Sequence, residues 1–181
     1  MTTHRILGLC GSLRAESVNR KLLMQAGRMY TDADFNEASL QLPLYNGDIE
    51  AKGIPVEVQA LADQIAAADA VIIASPEYNK SLSGVLKNAL DWISRVEGNP
   101  WAQKPVAIMS ATAGRTGGEV AQQALVLAMG SFNPRLIGAP KVLVAGAFNE
   151  FDEKGQLMGE NYITALTNLL AALRAEVELT R

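Results

Sequence analysis

The chain has 181 residues, 49% of them hydrophobic and 19% charged, with a formal net charge of −3. A chain of that size buries about 70% of its unfolded surface, so residues 1–181 are expected to form one domain. The mild negative charge argues against a nucleic-acid-binding face, and no apolar run approaches the ~18 residues of a membrane span. One cysteine and one histidine exclude an internal disulfide and a His-rich metal cluster. No leader pattern precedes the first apolar run, so the chain is expected to be cytoplasmic and metal-free. His4, beside the terminus, is expected to be solvated rather than a catalytic base.

Apolar runs and helical patterns alternate along the chain. Residues 6–10 form the first run, and 17–29 carry a helical face with Val18, Leu22, Ala26 and Met29. The stretch 38–42 is apolar at alternate positions, which predicts a half-exposed edge strand. Pro43 and Asn46-Gly47-Asp48 mark a turn-rich connection, followed by a helix over 56–68. Residues 70–74 and 105–109 are apolar throughout and predict central parallel strands, buried on both faces. Helices are predicted over 84–95, after Gly117-Gly118 and near 162–177, with a fifth strand over 141–145. Five alternating pairs give an α/β doubly wound parallel sheet. An edge-like second strand favours order 2-1-3-4-5, with helices on both faces.

In such a sheet, ligands bind outside the carboxyl ends of the strands. Three loops meet there: 11–19, 75–81 and 112–118. The first turns from a strand into a helix, the geometry that aims free backbone N–H groups at an anion. Ser12, Ser17 and Asn19 supply hydrogen-bond donors and Arg14 a fixed positive fork. Each charge-assisted bond is worth about 1.5–3 kcal/mol, so several converging donors can hold a phosphate. The spacing of Gly8 and Gly11 is wrong for GxGxxG, and no Gly-Lys-Ser/Thr ending is present. A cysteine-phosphatase loop needs its Arg where Glu16 stands here, and a thiolate at Cys10 would face that carboxylate. A mononucleotide phosphate loop of another type remains. An aromatic side chain in the second loop and a glycine-rich wall in the third suit a flat, partly polar ring tethered by a phosphate, of which FMN is the obvious example.

Gly11-Ser12-Leu13-Arg14-x-x-Ser17-x-Asn19, Pro76-Glu77-Tyr78-Asn79, and Gly84-x-Leu86-Lys87-Asn88-Ala89-x-Asp91-Trp92 together resemble the NAD(P)H-dependent FMN reductase family. The match is closest to its bacterial quinone and chromate reductase branch, and it runs over nearly the whole chain. The resemblance implies a flavodoxin-like fold and bound FMN. Ser12, Arg14, Ser17 and Asn19 would then hold the phosphate, and Pro76, Glu77, Tyr78 and Asn79 would border the isoalloxazine. Thr112, Ala113, Gly114 and Gly117 would close around the pyrimidine edge and ribityl chain. It further implies a dimer interface near Asn88, Asp91 and Trp92, hence a homodimer or a dimer of dimers. Trp92, Ile93 and Trp101 around the end of that helix are read as apolar interface anchors or, more plainly, as a cover for the helix's own end.

Each feature has a plainer counterpart. Ser17 is also an ordinary N-cap with Arg20 as solvated charge, Tyr78 a cap on the core, and Glu77 a solvated loop charge. Lys87 and Asp91 make a surface pair four apart, Asn88 and Trp92 lie on an amphipathic face, and Gly117-Gly118 is a turn into a helix. The expected function is an NAD(P)H oxidoreductase, working by ping-pong hydride transfer through FMN to quinones or other acceptors such as chromate, ferric chelates and azo compounds. No protein side chain is named as an acid or base. NADH and NADPH stay open as donors. The rival readings are a flavodoxin-like electron carrier, disfavoured by the modest charge and a single aromatic in the three loops, and a flavin-based redox sensor.

Overall fold

The computed structural model describes residues 3–180. Strands are β1 (His4–Cys10), β2 (Ala33–Ala38), β3 (Ala70–Ala74), β4 (Pro105–Ala111), β5 (Arg135–Leu136) and β6 (Val142–Val144). Helices are α1 (Val18–Met29), the single turn α2 (Gly47–Glu50), α3 (Val56–Ala67), α4 (Gly84–Ile93), α5 (Glu119–Met129) and α6 (Glu160–Thr180). Every strand pairing is parallel, in the order β2-β1-β3-β4-β5, with β6 also on β4. The doubly wound order expected from the sequence is the one found.

The central strands divide the core by simple alternation. Leu7, Leu9, Val71, Ile73, Val106 and Ile108 face α3, α4 and α5. Ile6, Cys10, Ile72, Ala107 and Met109 face α1 and α6. Burial on both faces is why these runs are apolar at every position.

Two strands differ from expectation. The second lies at 33–38 rather than 38–42, and its sequence is largely polar. Its one large apolar side chain, Phe35, packs where glycines make room. A Cβ at Gly8 or Gly27 would come within 2.7 or 2.6 Å of the Phe35 ring. Beyond Ala38, the last residue of β2, the alternating segment has left the sheet, yet Ala38 and Leu40 are buried in the α3/α4 core and Leu42 packs against it. The fifth strand is split. β5 pairs with the start of β4 at Pro105 and Val106, and β6 with its end at Met109 to Ala111.

Four side chains are also placed differently. His4 is only 6% exposed, with Nδ1 2.9 Å from the Tyr30 hydroxyl. Trp92, Ile93 and Trp101 are buried within the chain and are not available as interface anchors. The Trp92 indole N–H donates to Pro43 O at 2.8 Å and the Asn88 amide donates to the same oxygen at 3.0 Å. Asn88 Oδ1 in turn accepts from the Tyr45 N–H at 2.8 Å, so α4 clamps the segment that follows β2.

Candidate active site

All strands run in parallel, so the segments after β1, β3, β4 and β6 emerge on one edge. The first loop opens on Gly11, whose N–H donates to Ala74 O at 2.8 Å. A Cβ there would lie 3.0 Å from Ser83 Oγ and 3.1 Å from Pro76 Cδ, so glycine lets the first two loops touch. Ser12 is buried and its hydroxyl accepts from the Arg14 N–H at 3.4 Å. Ser17 is the N-cap of α1, accepting from the Arg20 N–H at 3.4 Å. Arg14 is exposed, with no side-chain partner among the described residues. Asn19 is buried, and both ends of its amide bond the Ala111 main chain, at 2.8 and 3.0 Å. These bonds tie α1 to β4, and they use one of the two N–H donors that the Asn19 amide carries.

Arg20 is not a solvated charge. Its Nη1 donates to Arg14 O at 3.0 Å and its Nη2 to Ser12 O at 3.4 Å, while Nε donates to Glu37 Oε1 at 2.9 Å. The Glu37 carboxylate holds the Arg20 guanidinium above its ordinary pKa. Sequence reasoning missed this pair. The available signal was an arginine at the third position of a helix with no acid in its first turn, where the dipole disfavours a cation. The Cys10 thiol beneath the loop is pushed up by burial, the opposite of what a nucleophile needs.

The second loop is a miniature hairpin. Tyr78 and Ser81 exchange main-chain hydrogen bonds of 3.1 Å, and Asn79 and Lys80 between them have φ of 50° and 60°. Two consecutive left-handed residues make a type I′ turn, which Asn accepts readily and Lys adopts at about 1–2 kcal/mol. Tyr78 stands at its base, 53% exposed, and does not cap the core. Glu77 is not a solvated charge either. Its Oε2 accepts from the Ala121 N–H at 3.2 Å, and its Oε1 lies 3.6 Å from Lys80 Nζ. The N-cap of α5 is Gly118, which has no side chain to give, so Glu77 caps that helix from another loop.

The third loop is held by main chain. The Thr112 N–H donates to Val144 O at 3.0 Å, and Thr112 O accepts from the Ala147 N–H at 2.9 Å. Gly117 and Gly118 have φ of 62° and 90°, and a Cβ at Gly117 would sit 2.5 Å from the Leu143 carbonyl. They are a packing requirement as well as a turn. Buried Ser110 donates to Gly117 O at 2.6 Å and accepts from Gln122 Nε2 at 2.9 Å, and that same nitrogen donates to Val142 O at 2.8 Å. Ala113, Gly114, Arg115 and Thr116 are exposed at the tip. Beyond β6, Phe148 stands 64% exposed on the segment bonded to this loop. It is an aromatic that reading the three loops alone overlooks.

The fold therefore gathers Ser12, Arg14 and Ser17 in one loop, Pro76 to Asn79 in the next and Thr112 to Gly117 in the third, stitched together through Gly11, Glu77 and Asn19. Among the described residues, no group of three His, Cys, Asp or Glu side chains is placed to hold a metal, and no helix is long and apolar enough to cross a membrane.

Residues 4–149 match the family model of NADPH-dependent FMN reductases. The chain is 38% identical to an NAD(P)H-dependent FMN reductase of Pseudomonas aeruginosa, over 98% of this chain and 97% of that one. It is 33% identical to a quinone reductase of Escherichia coli, covering 93% and 92%. Among solved structures, the flavoenzyme NAD(P)H:(acceptor) oxidoreductase FerB from Paracoccus denitrificans superposes with a TM-score of 0.88 at 29% identity, covering 98% of both chains. By the family model and by its sequence relatives, the chain belongs to the NADPH-dependent FMN reductase family.

Proposed function

We propose that this protein is an NAD(P)H-dependent quinone reductase that holds FMN across its three strand-end loops. Membership of the family makes it an oxidoreductase working with FMN and NAD(P)H. The observation that carries the site is the donor set of the first loop. The Leu13 and Ala15 N–H groups and the Arg14 guanidinium have no partners among the described residues. Free N–H groups and a free guanidinium beside a helix N-terminus suit a dianionic phosphate.

In this reading Arg14 and the main chain of the first loop bind the phosphate, Ser12 and Ser17 shape the loop, and Asn19 fixes it to β4. Pro76 to Asn79 border the ring, with Glu77 locking the hairpin to α5 and Tyr78 standing at the rim. Thr112, Ala113, Gly114 and Gly117 give the opposite wall, whose small side chains leave main-chain groups accessible to the ring's amide edge. When bound, FMN supplies the redox chemistry, taking two electrons as hydride from NAD(P)H and passing them to a quinone, so donor and acceptor use one opening in turn. Chromate, ferric chelates and azo compounds can draw on the same electrons.

Self-association as a homodimer or a dimer of dimers is part of the proposal. It is supported by exposed Leu127 and Val126 on α5 and Leu44 after β2 rather than by the tryptophans. A cytoplasmic setting fits a buried free thiol and soluble pyridine nucleotides.

The test is the visible spectrum of the protein loaded with FMN, recorded before and after anaerobic NADPH or NADH and again after benzoquinone. Bleaching by a nucleotide and recovery with quinone are expected. Phe148 gives the electron-carrier reading a second aromatic near the cleft. Bound flavin that neither nucleotide bleaches would point to a carrier or a redox sensor.

A further inference from the structure

We propose that Arg20 is a positioning residue that turns the peptide groups of the first loop toward the cofactor phosphate, and so makes this chain distinguish FMN from riboflavin. The inference rests on the phosphate-loop reading above. The guanidinium lies behind the loop and holds two alternate carbonyl oxygens, Ser12 O and Arg14 O. Both following peptide bonds are trans, the one cis bond among the described residues being Ala139–Pro140. In a trans peptide the N–H points opposite the C=O. Drawing those two carbonyls toward Arg20 therefore turns the N–H groups of Leu13 and Ala15 the other way, and neither has a partner among the described residues.

Glu37 completes the device. It reaches from β2 to fix Nε, so the guanidinium is anchored on one edge and forked on the other. Its carboxylate also balances the Arg20 charge. The loop then offers a phosphate oriented dipoles, with Arg14 as its free cation. A lysine could not do this, because a single ammonium cannot span two carbonyls and a carboxylate in one plane.

The experiment measures Kd for FMN and for riboflavin by fluorescence quenching on the full-length, flavin-stripped chain and on Arg20→Met and Arg20→Lys. Wild type is expected to prefer FMN. Arg20→Met is expected to lose about tenfold or more in FMN affinity, on the scale of one charge-assisted bond, with riboflavin affinity altered by less than about twofold. Arg20→Lys should behave like Arg20→Met. A merely structural role for the Arg20–Glu37 pair would lower both affinities together with the thermal midpoint, and that result overturns the inference. So would an Arg20→Lys variant with wild-type FMN affinity, which would make charge rather than direction the cause. If Arg20→Met does not fold, Arg20→Lys alone carries the test. A wild-type protein that binds both flavins equally would instead overturn the phosphate-loop reading itself.

Discussion

The first and third loops occupy matching places at the ends of β1 and β4 but are held by opposite means. The first is braced by a charged side chain, Arg20, reaching two carbonyls from behind. The third is fixed by main-chain bonds to β6 and the segment after it, by the uncharged Ser110 hydroxyl on Gly117 O, and by the absence of side chains at Gly117 and Gly118. The difference matches what each loop faces in the proposed site. A phosphate is met by oriented donors and a cation. A flat ring is met by a wall whose position depends on shape. Charge changes should therefore act mainly on binding at the first loop, and volume changes mainly on stability at the third.

The sharpest contrast comes from Gly117→Ala. The new methyl would lie 2.5 Å from the Leu143 carbonyl at a φ of 62°. A loss of about 3 kcal/mol or more in urea unfolding is expected, with misfolding as the extreme. Arg14→Ala should leave the urea midpoint unchanged, because its side chain is exposed and makes no hydrogen bond or ion pair among the described residues. It should weaken FMN binding about tenfold or more in a fluorescence titration; an unchanged affinity would remove Arg14 from the phosphate site. Glu77→Ala deletes the cap on α5 and should cost about 1 kcal/mol. It joins the two behaviours, since it should also loosen the hairpin and raise KM for the electron donor.

The smallest effect concerns Cys10. Burial raises its folded-state pKa, so an unfolded chain releases the thiol proton first, from about pH 8.5. Stability from this group is complete below that pH and declines as pH rises toward the folded value. Cys10→Ser should flatten that alkaline decline in a series of thermal melts, while most reductase activity survives. Total loss of activity with flavin still bound would bring thiol chemistry back into question.

What was legible in the sequence follows from where each signal originates. β1, β3 and β4 were readable because burial on both faces leaves only apolar residues. β2 was not, since an edge strand pairs through its main chain and its anchor, Phe35, depends on glycines in two other elements. The alternation at 38–42 is a true sign of half-burial, but pairing stops at Ala38. Ser12, Ser17 and Asn19 stood out as polar residues in a turn, yet only coordinates reveal that the Asn19 amide is committed to Ala111. The Glu77 cap and the Ser110–Gln122 network join residues 44 and 12 apart in the chain, and local patterns carry no trace of such partners. His4 was misread for the same reason, its partner Tyr30 being 26 residues away.

The divided fifth strand bears on how this protein behaves in a crowded solution. A sheet has two lateral edges, and each can recruit a strand from a neighbouring molecule. Here one edge is β2, which carries Asp34, Asn36 and Glu37. The other is broken into segments of two and three residues, β5 and β6, and of the stretch between them Ile137 still donates to Val106 O while 138–141 add no rung to the ladder. A chain seeking to extend the sheet would meet carboxylates on one side and an interrupted ladder on the other. That break thus shields a sheet with an apolar centre from polymerising.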